Sequence, residues 1–139
     1  MRAQDPQLRE SIEDVCTWLS ARGYSIDFER NGEDAVFLES KLLSVRSSRS
    51  LRGQLYTLLH ECGHILIHES DTLVNSEEEV LEVYSSRSKI HKTFTVIEEI
   101  EAWKRGLSLA GRLGIEINKV KWNKDVAKSI MAYMKWAVG

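Results

Sequence analysis

Apolar positions recur along this chain at two different periods. Leu8, Ile12, Val15, Cys16 and Leu19 fall three or four residues apart and place one apolar stripe on a first helix. Asp5 suits its cap, Pro6 its first position and Gly23 its stop. The period then drops to two: Tyr24, Ile26 and Phe28 alternate with Ser25, Asp27 and Glu29, and Asn31-Gly32 follows as a hairpin-type turn. A second strand-like stretch, AVFLESKLLSVRSS, carries a break near Ser40-Lys41. From Ser50 the helical period returns and holds to about His68. The acidic, polar stretch ESDTLVNSEEEVLEVYSSRSKIHK reads mainly as a loop with one short element. Another helix is expected from Thr93 or Thr95 to about Leu113, with Gly114 as its stop. A last helix carries Trp122, Val126, Ile130, Tyr133, Met134 and Ala137 on one face. The expected fold class is α+β: a single domain over 1–139, with helices around a small N-terminal β-hairpin or sheet and the Ser50–His68 helix central.

Composition narrows the function classes. A chain of 139 residues closes one core and is too short for two. With 19 basic and 21 acidic residues the net charge is only −2, which is not the footprint of a nucleic-acid or membrane-surface binder. The basic residues Lys41, Arg46, Arg49 and Arg52 gather in one stretch and read as a solvated edge. No apolar window approaches a membrane-spanning length and the N-terminus lacks a signal-peptide core, so a cytoplasmic protein is expected. Cys16 and Cys62 are expected as reduced thiols, because one pair makes a poor disulfide framework.

The central helix carries the chemistry. LLHECGHILIH contains His60-Glu61-Cys62-Gly63-His64, an HExxH pattern. Residues four apart on a helix sit one above the other, so both imidazoles can reach one zinc ion. Glu61, the residue after the first histidine, lies where it can take a proton from an attacking water and return it to a leaving amine. At about 100° per residue, Leu51, Leu55, Leu58, Leu59, Cys62, Ile65 and Leu66 share one arc, whereas Gly53, Thr57, His60, Glu61, His64 and His68 share the opposite one. The histidines therefore face away from the apolar stripe. His68 lies about 12 Å along the axis from His60, too far to share one ion, and reads as a supporting or structural residue.

A catalytic zinc keeps three protein ligands and one open position, so a third ligand is needed. Glu98, Glu99 and Glu101 compete in VIEEIEAWKRGLSLAGRLG. Glu98 and Glu101 join Arg105, Ser108 and Arg112 on the polar side, while Glu99 lands amid Val96, Ala102, Trp103, Gly106, Leu107, Ala110 and Leu113. A carboxylate on an inward face needs a compensating cation or donor. Zinc would supply it, and Gly106 and Ala110 would let this helix approach closely. The alternative is that Glu99 accepts from a buried donor such as a tryptophan indole.

LYTLLHECGHILIH followed by EEIEAW resembles the ImmA/IrrE family of zinc metallopeptidases over roughly Arg52 to Leu109. The resemblance implies one gluzincin-like zinc per chain on His60, His64 and Glu99, with Glu61 as general base and Glu101-Ala102 matching the family's Glu-Ala pair. It implies an endopeptidase that cleaves a protein or peptide, such as a transcriptional regulator, often in a phage or mobile-element setting. Trp103 departs from the family pattern, which has Asn or Asp there to support the first zinc histidine; an indole cannot accept a hydrogen bond in that way. KRGLSLAGRLG also lacks the family's usual continuation. That departure keeps open a zinc-containing binding protein that sequesters a partner without cleaving it. Tyr84 and His91 are weak candidates for a second electrophile.

Overall fold

A computed structural model describes residues 5–70 and 88–139. Helix α1 spans Asp5–Ala21 and buries Val15 and Leu19. Its C-terminus closes on the expected glycine: Gly23 has a φ of 85°, its N–H reaches the Ser20 carbonyl, and the Tyr24 N–H reaches back to Leu19. Three strands follow, β1 (Ser25–Glu29), β2 (Ala35–Phe37) and β3 (Leu42–Arg46). Helix α2 covers Leu51–His68 and starts at Ser50, whose side chain accepts from the Gly53 N–H. Helix α3 covers Lys89–Arg112 and helix α4 Lys119–Val138. The class is α+β, a small sheet among four helices in the described residues. No described helix is long and apolar enough to cross a membrane.

The sheet corrects the expected hairpin. A turn does form at Glu29–Gly32, but it does not fold β1 onto the next strand. The order is β1-β3-β2: β1 runs parallel to β3 with Ile26 opposite Leu43, and β2 runs antiparallel to β3 with Val36 opposite Leu43. Leu43 and Val45 are fully buried, whereas β1 and β2 have mostly exposed or half-buried residues. Placing β3 in the middle covers the most apolar strand on both edges. The break near Ser40-Lys41 is real: Lys41 has a φ of 51° in the turn between β2 and β3. Asp34 anchors the start of β2 by accepting from the Arg46 N–H at 2.9 Å and pairing with Arg49.

Helix α3 begins about one turn earlier than the apolar period indicates. Ser88 caps it by accepting from the His91 N–H, and Ile90 within the first turn stays exposed, so the apolar stripe starts later than the helix. The expected loop after α2 falls largely on 71–87, outside the described residues, and Tyr84 with it.

One core joins these elements: Val15, Leu19, Leu43, Val45, Leu55, Leu58, Leu59, Cys62, Ile65, Leu109, Ala110 and Trp122 are all within it. Each such large aliphatic contributes about 1.5–3 kcal/mol when removed from water.

Candidate metal centre

Two glycines set the approach of α2 to α3. A Cβ on Gly63 would lie 1.9 Å from the Ala102 carbonyl oxygen, and one on Gly106 would lie 2.4 Å from that of Leu59. The helices therefore meet backbone to backbone. The buried positions of α3 are Glu99, Ala102, Trp103, Gly106, Leu109 and Ala110, a three-and-four spacing that turns Glu99 onto α2. The flank of α2 that carries Leu59 and Gly63, next to the histidine face, thus meets α3, and Glu61 and Glu99 are only 6% and 7% exposed.

At this crossing the Glu99 carboxylate spans both imidazoles. His60 Nε2 lies 2.8 Å from Glu99 Oε2, and His64 Nε2 lies 3.2 Å from Glu99 Oε1. His64 Nδ1 is 3.2 Å from Glu98 Oε1, and His60 Nδ1 is 3.6 Å from Glu61 Oε1. One ligand atom from each of His60, His64 and Glu99 lies within 4.8 Å of the others, so the group could hold a metal ion.

Electrostatics match this crowding. Burial opposes ionisation of Glu99, but its bonds to His60 and His64 outweigh that and hold its pKa down to about 2. Burial likewise disfavours a charged His64, yet the Glu98 and Glu99 carboxylates push it up to about 10. Glu61 has its pKa raised, chiefly by burial, with the two histidines pulling the other way.

The group opens on a cleft of about 670 Å³. One wall is β2, with Ala35 and Val36, and Leu38 just after it; the other is α4, with Lys128, Ser129 and Tyr133. Tyr133 stands beside Glu99, and burial followed by that carboxylate pushes its phenol well above the ordinary range. Sequence reading placed Tyr133 only on an apolar face. Its signal was the helical spacing of α4, which says that it turns inward but not that it meets a carboxylate.

Glu101 does not join the group; it pairs with Arg105 at 2.9 Å, and Arg105 in turn donates to the Leu66 carbonyl. Glu98, placed on the polar side by its spacing, still reaches His64. His68 is exposed at the end of α2. His91 is not among the residues lining the cleft, and its Nδ1 is buried without a hydrogen-bond partner. Glu99 takes the two histidines as partners, and the indole on its own helix face does not pair with it: the buried Trp103 Nε1 has no hydrogen-bond partner. Comparison with protein-family models, with curated proteins and with solved structures found no significant match.

Proposed function

We propose that the chain is a zinc-dependent endopeptidase in which His60, His64 and Glu99 hold the metal and Glu61 is the general base. The observation that carries this reading is the convergence of both Nε2 atoms and the Glu99 carboxylate, beside Glu61, on one open cleft. Two imidazoles and one carboxylate are a donor set that zinc takes in hydrolases while keeping a fourth position open. A dication would also compensate the buried carboxylates Glu61 and Glu99.

Zinc, when bound, polarises a scissile carbonyl and lowers the pKa of water to about 7. The chain's own residues do the rest. Glu61, its pKa raised by burial, accepts the proton of the attacking water at a carboxylate oxygen and later gives it to the leaving amine. Tyr133 lines the same cleft from α4 beside Glu99. The substrate reading rests on β2, which among the described residues pairs with β3 on one edge only while Ala35 and Val36 line the cleft; an extended peptide can add to such an edge. The resemblance to the ImmA/IrrE family adds a transcriptional regulator as the substrate class and zinc as the metal. Free Cys16 and Cys62 suit a cytoplasmic setting.

Glu61→Gln keeps the shape and removes the base. Purified variant and wild type should each hold about one equivalent of zinc, while cleavage across a peptide library is lost in the variant. Undiminished cleavage by the variant refutes the role. A zinc-holding protein that sequesters its partner is the second reading, favoured by Trp103 at the position expected to support His60. It predicts bound zinc and a large fall in Tm on chelation, with no turnover by the wild type.

A further inference from the structure

The two histidines are held by different means. His64 meets a carboxylate at each ring nitrogen, Glu99 at Nε2 and Glu98 at Nδ1, both at 3.2 Å. His60 has Glu99 at Nε2, but the nearest carboxylate oxygen to its Nδ1 is 3.6 Å away, beyond hydrogen-bond length. One polar contact leaves the ring free to rock about that contact. What confines it is Trp103, whose ring lies flat against the imidazole with centroids 4.2 Å apart and planes 9° from parallel.

The indole is itself backed. Trp122 meets it edge-on at 5.1 Å and 82°, and Tyr56 meets Trp122 at 5.1 Å and 71°. Trp103 is 7% exposed and Trp122 2%, so neither ring has room to tilt. The Trp103 Nε1 is buried without an acceptor. A buried indole normally finds one, and leaving it unpaired is costly. The flat face and its position are therefore what the site uses.

We propose that Trp103 is a positioning residue that sets the plane of the His60 imidazole by stacking, as Glu98 sets that of His64 by hydrogen bonding, so that His60 presents Nε2 to the metal. This rests on the metal-binding reading above. Stacking fixes the plane without placing an anion on Nδ1. His60 is accordingly the less electron-rich ligand of the pair, because a carboxylate on the far nitrogen raises a histidine's basicity.

The test compares Trp103→Phe, which retains an aromatic face, with Trp103→Leu, which retains only apolar bulk. Zinc affinity by chelator competition should fall about tenfold or more in the leucine variant and stay within about threefold of wild type in the phenylalanine variant. The visible spectrum of the cobalt-substituted protein should change in the leucine variant only. Equal zinc affinity and an unchanged cobalt spectrum in Trp103→Leu overturn the proposal while leaving the metal reading intact. A wild-type protein that takes up no zinc overturns both. Should the leucine variant not fold, proton NMR of the metal-free wild type decides: His60 ring protons lie upfield of those of His64 if the indole face covers them, and unshifted His60 signals overturn the stack.

Discussion

The two faces of α2 are both buried, yet they are filled differently. On one, Leu58, Cys62 and Ile65 join Val15, Leu19, Leu43 and Val45 in a side-chain core. On the other, Gly63 meets the Ala102 carbonyl and Leu59 meets Gly106, so backbone touches backbone. A side-chain face can yield by changing rotamers and collapsing around a lost methyl. A backbone contact has no such freedom, because either helix must move as a body. The residues proposed to hold the metal sit beside the rigid face, where the separation of the helices sets the separation of His60 from Glu99. Fold stability draws on both faces, but ligand geometry draws on one.

The largest effect should come from Gly63→Ala or Gly106→Ala. The added methyl meets a carbonyl carbon or oxygen under 3.0 Å away at either position. The loss should exceed the usual overpacking range of about 1–3 kcal/mol, and any folded fraction should bind zinc weakly because the helices have parted. Urea denaturation and zinc titration on the same samples check it; wild-type zinc affinity in Gly63→Ala would show that the crossing does not set the ligands. Next comes Leu58→Ala on the side-chain face. Leu58 is fully buried, so truncation should cost about 2–5 kcal/mol. The folded variant should nevertheless hold zinc as wild type does. A matched loss of zinc affinity would erase the distinction between the faces.

A third change stays on the ligand face without touching its backbone. Glu98→Gln weakens the acceptor at His64 Nδ1. Zinc affinity should fall about tenfold, at the low end for the group behind a metal-bound histidine, with little change in urea stability of the chelated protein. Affinity equal to wild type would leave His64 oriented by Glu99 and α2 alone.

Much of this was legible before any coordinates, and the reasons are local. Gly23 ends α1 and Gly114 with a φ of 72° closes α3, both from signals confined to a few residues, and α2 begins next to Ser50, where the helical period returns. The inward turn of Glu99 between Glu98 and Glu101 followed from helical spacing alone, since Ala102, Trp103 and Gly106 share its face. Strand partnership was not local. Asn31-Gly32 specifies a turn but not which strand lies next to β1, and burial of Leu43 and Val45 put β3 there instead. The roles of Glu98, Trp103 and Tyr133 were likewise hidden. Each depends on where a second helix lies: Glu98 leans from the polar side to His64, Trp103 lies flat on His60, and Tyr133 reaches Glu99 from α4. Trp136 is 43% exposed, packing edge-on to Tyr133 at 6.2 Å with Lys92 against its ring.

The smallest expected effect tests whether the helix ends share in placing the ligands. Ser50 caps α2 and Ser88 caps α3, each accepting a backbone N–H at 3.1 Å. His60 and Glu99 each lie roughly three turns beyond their cap. Replacing either serine by alanine leaves one first-turn N–H to water and should cost about 1 kcal/mol. Fraying fades within a turn or so of a helix end, and the Gly63–Gly106 crossing holds the interior of both helices. Ser50→Ala and Ser88→Ala should therefore lower the urea midpoint slightly and leave zinc affinity at the wild-type value. If Ser88→Ala instead released zinc, the position of Glu99 would be governed by how α3 begins, and the backbone contact would be a consequence of that anchoring instead of its cause.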